Sequence, residues 1–230
     1  MEKNVNTAKS TRDFIIIHVI FVGLCFAVLI LPIPFAIGFK LFILVIAYNL
    51  MVALFSLFRK YRDWLKLWFF VFMISVFQIW PDWFLSAQLN ILVFPEDGLF
   101  KIGTVSGYMV GLWVIPLFMI SFIGLRMQEK KTVLWAYILI SVLALIIFGF
   151  AELSMWILNS WYPQNVKLLF DHIAIYIIIP EVLLGLSTFY LFVKNKSMKV
   201  WILVINAFLI MLLYLGSASF FYFLIEKVIF

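Results

Sequence analysis

Glu181 is the residue of this chain best suited to chemistry. It follows Pro180 inside the run Asp171–Val193, DHIAIYIIIPEVLLGLSTFYLFV. The run is long enough to cross a bilayer, since about 20 apolar residues at roughly 1.5 Å rise cover about 30 Å of hydrocarbon. A charge at the bilayer centre costs roughly 3 kcal/mol even on lenient insertion scales, so intramembrane acids are scarce and mark functional positions. Pro180 has no N–H, so the Tyr176 carbonyl one turn back loses its helical partner. The expectation is a kinked span with an acid near its middle. That acid would serve as a proton donor, or as a ligand for a cation or polar substrate group, because desolvation favours the neutral, proton-carrying carboxyl. The plainer alternative is a neutral carboxyl bonded to the freed carbonyl, or to Asn49 at mid-depth of the second span.

Other acids stand near the same membrane face. Glu152 ends the fifth apolar run, and Asp171-His172 opens the sixth. Asp171 fits a helix N-cap, and His172 a solvated or proton-shuttling imidazole. Asp171 and Glu181 are ten residues apart, about 15 Å along a helix, too far to share a proton directly. Asp82, Glu96 and Asp97 read as loop residues in water, the alternative being that they line a mouth. His18, Asn49, Gln78 and Asn206 are single polar groups inside spans, for which interhelical hydrogen bonds are the default. Trp80, Trp83, Trp156, Trp161 and Tyr162 form an aromatic belt at one interface.

The elements that must position these residues are membrane helices. Of 230 residues, 67% are hydrophobic and 12% charged, with mean hydropathy +1.17. A soluble domain is about half apolar and a quarter charged. The net charge of +6 does not point to nucleic acid, because the basic residues fall in short clusters between apolar runs. The expected fold is all-α, one seven-helix transmembrane domain over residues 1–230. The runs lie at about 14–31, 38–58, 64–80, 105–125, 132–151, 171–193 and 200–225, the third being shortest. The first resembles a signal peptide's start, but no small-residue cleavage site follows it, so it reads as an uncleaved helix.

All Lys and Arg except Lys40, Lys101, Lys167 and Lys227 fall at the N-terminus and in alternate loops. By the positive-inside rule the N-terminus is then cytoplasmic and the C-terminus outside, with a bacterial cytoplasmic membrane as the expected location. Two long loops, 81–104 and 152–170, lie on the outer side, where both could fold over the bundle mouth as a lid. Pro95-Glu96-Asp97-Gly98 reads as a turn. SVFQIWPDWF and GFAELSMWILNSW each carry a polar residue followed by two tryptophans. Each precedes a long loop and a helix with Ile-Pro at its middle, at Pro116 and Pro180. This pattern fits an internal duplication.

The absences narrow the chemistry. The lone Cys25 excludes an internal disulfide and a Cys-based metal site. Two distant histidines argue against a metal or haem centre, and no metal or other cofactor is expected. No Lys lies between Lys199 and Lys227, so a retinal Schiff base in the seventh span has no amine. No phosphate-binding loop, nucleophile elbow or arginine ladder is present.

Aromatics make up 20% of the chain. A cavity walled by π faces stabilises positive charge. With a protonated carboxyl it suits acid-initiated chemistry on an isoprenoid double bond, the partner being a membrane lipid or lipophilic small molecule. Glu181, Glu152 and Asp171 are the catalytic candidates. His172, Trp156, Trp80, Asn49 and Trp113 are the binding candidates. A small-solute or ion transporter and a non-catalytic lipid-binding protein are the alternatives.

Phe94–Gly98 with TVSGYMVGLWVIPLF (104–118) resembles the FPFG…LG…GVP…IPLAW region of integral-membrane carotenoid hydratases. IAIYIIIPEVLLG (173–185) resembles a Pro-containing helix of those proteins and the Pro-Glu pair of membrane lycopene cyclases. The resemblance implies an acyclic carotenoid end as substrate, acidic residues as proton donors and a duplicated three-helix plan. The chain has Glu96-Asp97 where the hydratases have Phe, and a single acid where the cyclases have two.

Overall fold

The computed structural model describes residues 2–230, with side chains from residue 7 onward; the Lys3 side chain of the N-terminal basic cluster lies outside the described residues. Eight α-helices follow one another: α1 (Glu2–Ile30), α2 (Ile37–Phe58), α3 (Arg62–Trp83), the one-turn α4 (Met109–Leu112), α5 (Val114–Lys130), α6 (Val133–Ser154), α7 (Ile178–Asn195) and α8 (Val200–Phe223). With their short 3-10 and π extensions they make seven helical segments long and apolar enough to cross a membrane, the make-up of an integral membrane protein. Helices are the expected spanning form because lipid satisfies no backbone polar group. The shell confirms the solvent they face: Ile15, Val19, Phe26, Leu50, Leu145, Ile146, Leu209 and Leu212 all point outward.

The α3, α4–α5 and α7 segments form the centre, half of each being buried, against about 22% for α1 and α6 at the periphery. Small residues permit the close approaches. Gly124 on α5 faces Ile140 of α6, and Gly185 on α7 faces Ala144 of α6. Lys66 donates to the Lys196 carbonyl, and Arg126 reaches Ser10. These contacts gather the basic loops at one end of the bundle. The two long loops occupy the other.

Those loops are built alike. The first passes from a π-turn (Phe84–Gln88) to β1 (Leu92–Val93) and then a hairpin of β2 (Lys101–Ile102) and β3 (Val105–Ser106). The second passes from a 3-10 turn (Met155–Leu158) to β4 (Tyr162–Pro163) and a hairpin of β5 (Leu168–Leu169) and β6 (Ile173–Ala174). β1 pairs antiparallel with β4, Leu92 opposite Pro163 and Val93 opposite Tyr162. Gln164 and Asn165 add side-chain bonds to Asn90. In place of the expected turn at 95–98 the chain bends at Gly98–Leu99: Gly98 has φ +80°, and the Asp97 carboxylate accepts the Leu99 N–H at 2.9 Å.

Two further expectations are corrected. The third segment is not the shortest. It runs Arg62–Gln88, through Pro81, because a proline in a helix's last turn costs one bond that neighbouring polar groups can replace. The sixth does not begin at Asp171. α7 starts at Ile178, preceded by a 3-10 turn (Ile175–Ile177), so Pro180 is its third residue. Pro116 is likewise the third residue of α5. Neither proline kinks the middle of a span; each sits in a first turn, where the missing N–H would have had no intrahelical partner.

Candidate functional site

Because Pro180 lies in the first turn of α7, Glu181 projects from a helix start at the hairpin end rather than from the middle of its helical segment. Helix N-termini favour negative charge. The side chain is buried, the residue being 5% exposed, and it lines a cavity of about 250 Å³ under the two long loops. Among the described residues nothing hydrogen-bonds its carboxyl. The freed-carbonyl alternative is therefore not what this carboxyl does. Asn49 is also committed elsewhere: its amide donates to the carbonyls of Val45 (2.9 Å) and Gly111 (3.2 Å) and accepts the Trp68 N–H (3.1 Å). Asn49 thus anchors the one-turn α4 and does not line the cavity.

Two more carboxyls reach the same space. Glu152 comes from the last turns of α6 and Asp82 from the last turn of α3. Each is held by an indole. Trp161 Nε1 donates to Glu152 Oε1 at 2.9 Å, and Trp113 Nε1 donates to Asp82 Oδ2 at 3.3 Å. Both lie within electrostatic range of Glu181. Trp113 stacks obliquely on Phe148 (5.6 Å) and meets Tyr214 edge-on (5.8 Å). Tyr176, Tyr214, Met109, Met119 and Met155 complete much of the wall, and Leu92, Phe94 and Pro163 roof it. Among the described residues no lysine, arginine or histidine lines it.

The roof is fastened by Tyr108, whose hydroxyl donates to the Ser160 carbonyl (3.1 Å) and accepts from the Ser160 hydroxyl (2.7 Å). Burial pushes the Tyr108 hydroxyl up to about 12, against an opposing pull from its bonds to serine. Among the described residues no three His, Cys, Asp or Glu side chains are grouped to hold a metal ion.

Of the residues picked from sequence, Glu181, Glu152 and Trp113 meet at the cavity. Asp171 does not. It sits exposed in the β5–β6 hairpin turn at φ +63°, and no helix begins there for it to cap. His172 stacks on Trp156 (4.3 Å, 13°) away from the cavity. Trp80 is 63% exposed on the outer face of α3. Asp82, expected in loop water, is 2% exposed and part of the site. Its signal was available: Gln78 and Asp82 are four apart, hence on one helical face, once Pro81 is allowed inside the helix. Tyr176, Tyr214 and Trp161 carried no signal separable from the other aromatics.

No curated protein and no solved structure matches the chain. The family described as a domain of unknown function, DUF6989, matches residues 79–225. That segment contains every residue lining the cavity, from Asp82 to Tyr214, and leaves out α1, α2 and the basic cluster around Asp13. With more than half of its length matched, the chain belongs to the DUF6989 family.

Proposed function

We propose that the protein is a membrane enzyme that protonates a double bond at the end of an isoprenoid-type lipid, leading to hydration or cyclisation. The observation that carries this reading is the unpartnered Glu181 carboxyl, facing an apolar, aromatic-walled cavity beside two anchored carboxyls. Glu181 gives its O–H proton to the less substituted carbon of the end double bond, leaving a tertiary carbocation on the other. The π faces of Trp113, Tyr176 and Tyr214 stabilise that charge. In hydration a water oxygen bonds to the cation and its surplus proton passes to Glu152 or Asp82. In cyclisation a second double bond of the same chain attacks the cation, forming the ring C–C bond and moving the charge to its far carbon, and a C–H beside that carbon yields the proton instead. Its return to Glu181 restores the site, so water plus alkene gives alcohol, or alkene gives a cyclic isomer.

At roughly 30 Å³ per molecule, the cavity's volume equals about eight waters. It suits one end of a long isoprenoid, not the whole. Ile115, Met119, Ile147 and Ala151 along α5 and α6 are half-buried, which gives the remaining chain a lateral way into the bilayer. Beneath the cavity the packing is apolar, with Leu117, Phe118 and Ile120 wholly buried. That floor favours a closed chamber over a transport path.

In the same reading the basic end is cytoplasmic by the positive-inside rule, in a bacterial cytoplasmic membrane. The matched loop designs, with Pro116 and Pro180 at like positions, reflect a duplicated unit. The faint likeness to carotenoid hydratases and cyclases bears on the choice of first substrates. The test is to incubate the protein in lipid nanodiscs with acyclic carotenoid and prenyl hydrocarbons and assay products. Glu181→Gln is expected to lower turnover by at least about 100-fold, the usual worth of a positioned acid. Undiminished turnover in that variant removes Glu181 from the mechanism.

A further inference from the structure

Three carboxyls share one apolar cavity, and among the described residues no cation lines it to balance them. Lys101, bonded to the roof at the Phe94 carbonyl, is already paired with Glu96 at 2.8 Å. Three carboxylates cannot all stay ionised in such a place; a proton or a cation must neutralise them. Asp82 and Glu152 each accept an indole N–H, but Glu181, 5% exposed, has no partner and is aimed into the void. Facing it are Asp82 from α3, Glu152 from α6, Tyr176 from the 3-10 turn and Tyr214 from α8, while α5 contributes only Ile115, Pro116 and Met119.

The remaining wall selects among cations. A strongly hydrated inorganic ion would exchange its water for aliphatic side chains. An ammonium carrying alkyl groups instead meets indole and phenol faces, with methionine sulfurs beside them. A phosphate-bearing headgroup would face three acids and no basic residue.

We propose that this cavity binds a monovalent organic cation, an alkylammonium with an apolar tail, which takes the place of a proton on Glu181. The carboxyl proton leaves to solvent as the ammonium enters, so net charge in the cavity is unchanged. The head sits among Glu181, Trp113 and Tyr214, and the tail leaves between α5 and α6. The proposal uses the cavity described above but does not depend on turnover. Failure of every isoprenoid assay would leave it standing, and its own failure would leave those assays untouched.

The experiment is titration calorimetry of the full-length protein in nanodiscs with hexyltrimethylammonium, whose charge does not change with pH, and with the neutral alcohol of matching length. Runs in buffers of different ionisation enthalpy count protons. The ammonium is expected to bind at least about tenfold tighter than the alcohol and to release about one proton. Its affinity should rise up to about tenfold per pH unit wherever the empty site holds that proton. Glu181→Gln should weaken ammonium binding at least about tenfold and abolish proton release, with Trp201→Phe, on an exposed face of α8 away from the cavity, as a control that leaves both unchanged. Equal binding of alcohol and ammonium, affinity that ignores pH, or undiminished binding and proton release in Glu181→Gln would each overturn it. The first two readings use the unaltered protein, so they decide the matter even if the glutamine variant does not fold.

Discussion

The two ends of the bundle treat buried acids in opposite ways. At the basic end Asp13 is fully buried, with Arg59 Nε at 3.3 Å, Arg12 Nε at 3.7 Å and the Tyr61 hydroxyl donating at 2.9 Å. Burial and that contact with Asp13 raise the Tyr61 hydroxyl above its ordinary value, which keeps it a donor. At the hairpin end, among the described residues, the carboxyls of Asp82 and Glu152 accept hydrogen bonds from indoles alone and that of Glu181 accepts none. An acid surrounded by guanidinium and phenol groups joins helices together. An acid left facing a void has no structural debt to discharge and is available to a ligand.

The sharpest way to break this comparison is thermal unfolding of paired variants in detergent. Asp13→Ala should destabilise by about 2.5 kcal/mol, since the Tyr61 hydroxyl loses its charged acceptor and the solvent-exposed Arg59 loses its counter-ion. Glu181→Gln should leave the melting temperature unchanged or raise it. An equal loss from both would make Glu181 a structural acid.

Tyr108 gives the next effect, seen through pH. Its folded value, about 12, lies above the ordinary 10. Between those values the unfolded chain binds fewer protons, so stability falls as pH rises through that window and is fully present below it. The loss by pH 12 is about 2 kcal/mol at roughly 1.4 kcal/mol per unit. Tyr108→Phe, melted alongside over pH 9–12, should lack that component.

Gly38→Ala sharpens the loop side. A Cβ there would lie 2.6 Å from the Asp97 carboxyl and 2.8 Å from its carbonyl oxygen, which itself accepts the Gly38 N–H at 2.9 Å. About 1.5 kcal/mol should be lost, with faster hydrogen exchange in the 94–100 loop. A variant as stable and as slow to exchange as the parent would mean that α2 does not brace this loop.

The smallest effect is expected from Trp161→Phe, which keeps the ring and removes the donor to Glu152. It should cost about 1 kcal/mol, and infrared difference spectra should show a shifted Glu152 carboxyl band. An unmoved band would mean that the indole does not hold this acid.

Much of the site was within reach of the sequence, and the misses share one cause. Glu181 and Glu152 stood out because acids are conspicuous in apolar runs, and Trp113 was named only as one of several aromatics for a cavity wall. Asp82 was missed because Pro81 reads as a stop in water-soluble helices, whereas α3 passes through it. Asp171 was over-read because Ile173–Ile179 is apolar throughout, and such a run looks the same whether it folds as strand, 3-10 turn or helix. The positive φ of Asp171 left no trace in its neighbours.

What the chain determined alone is the number of long apolar helical segments and the alternation of basic clusters between them, for both can be read from each segment's own composition. Which acids would share a cavity was decided by tertiary structure. That depends on helix rotation and on where α7 begins, and these are set by packing at Gly124, Gly185 and the paired β1 and β4 rather than by any local preference.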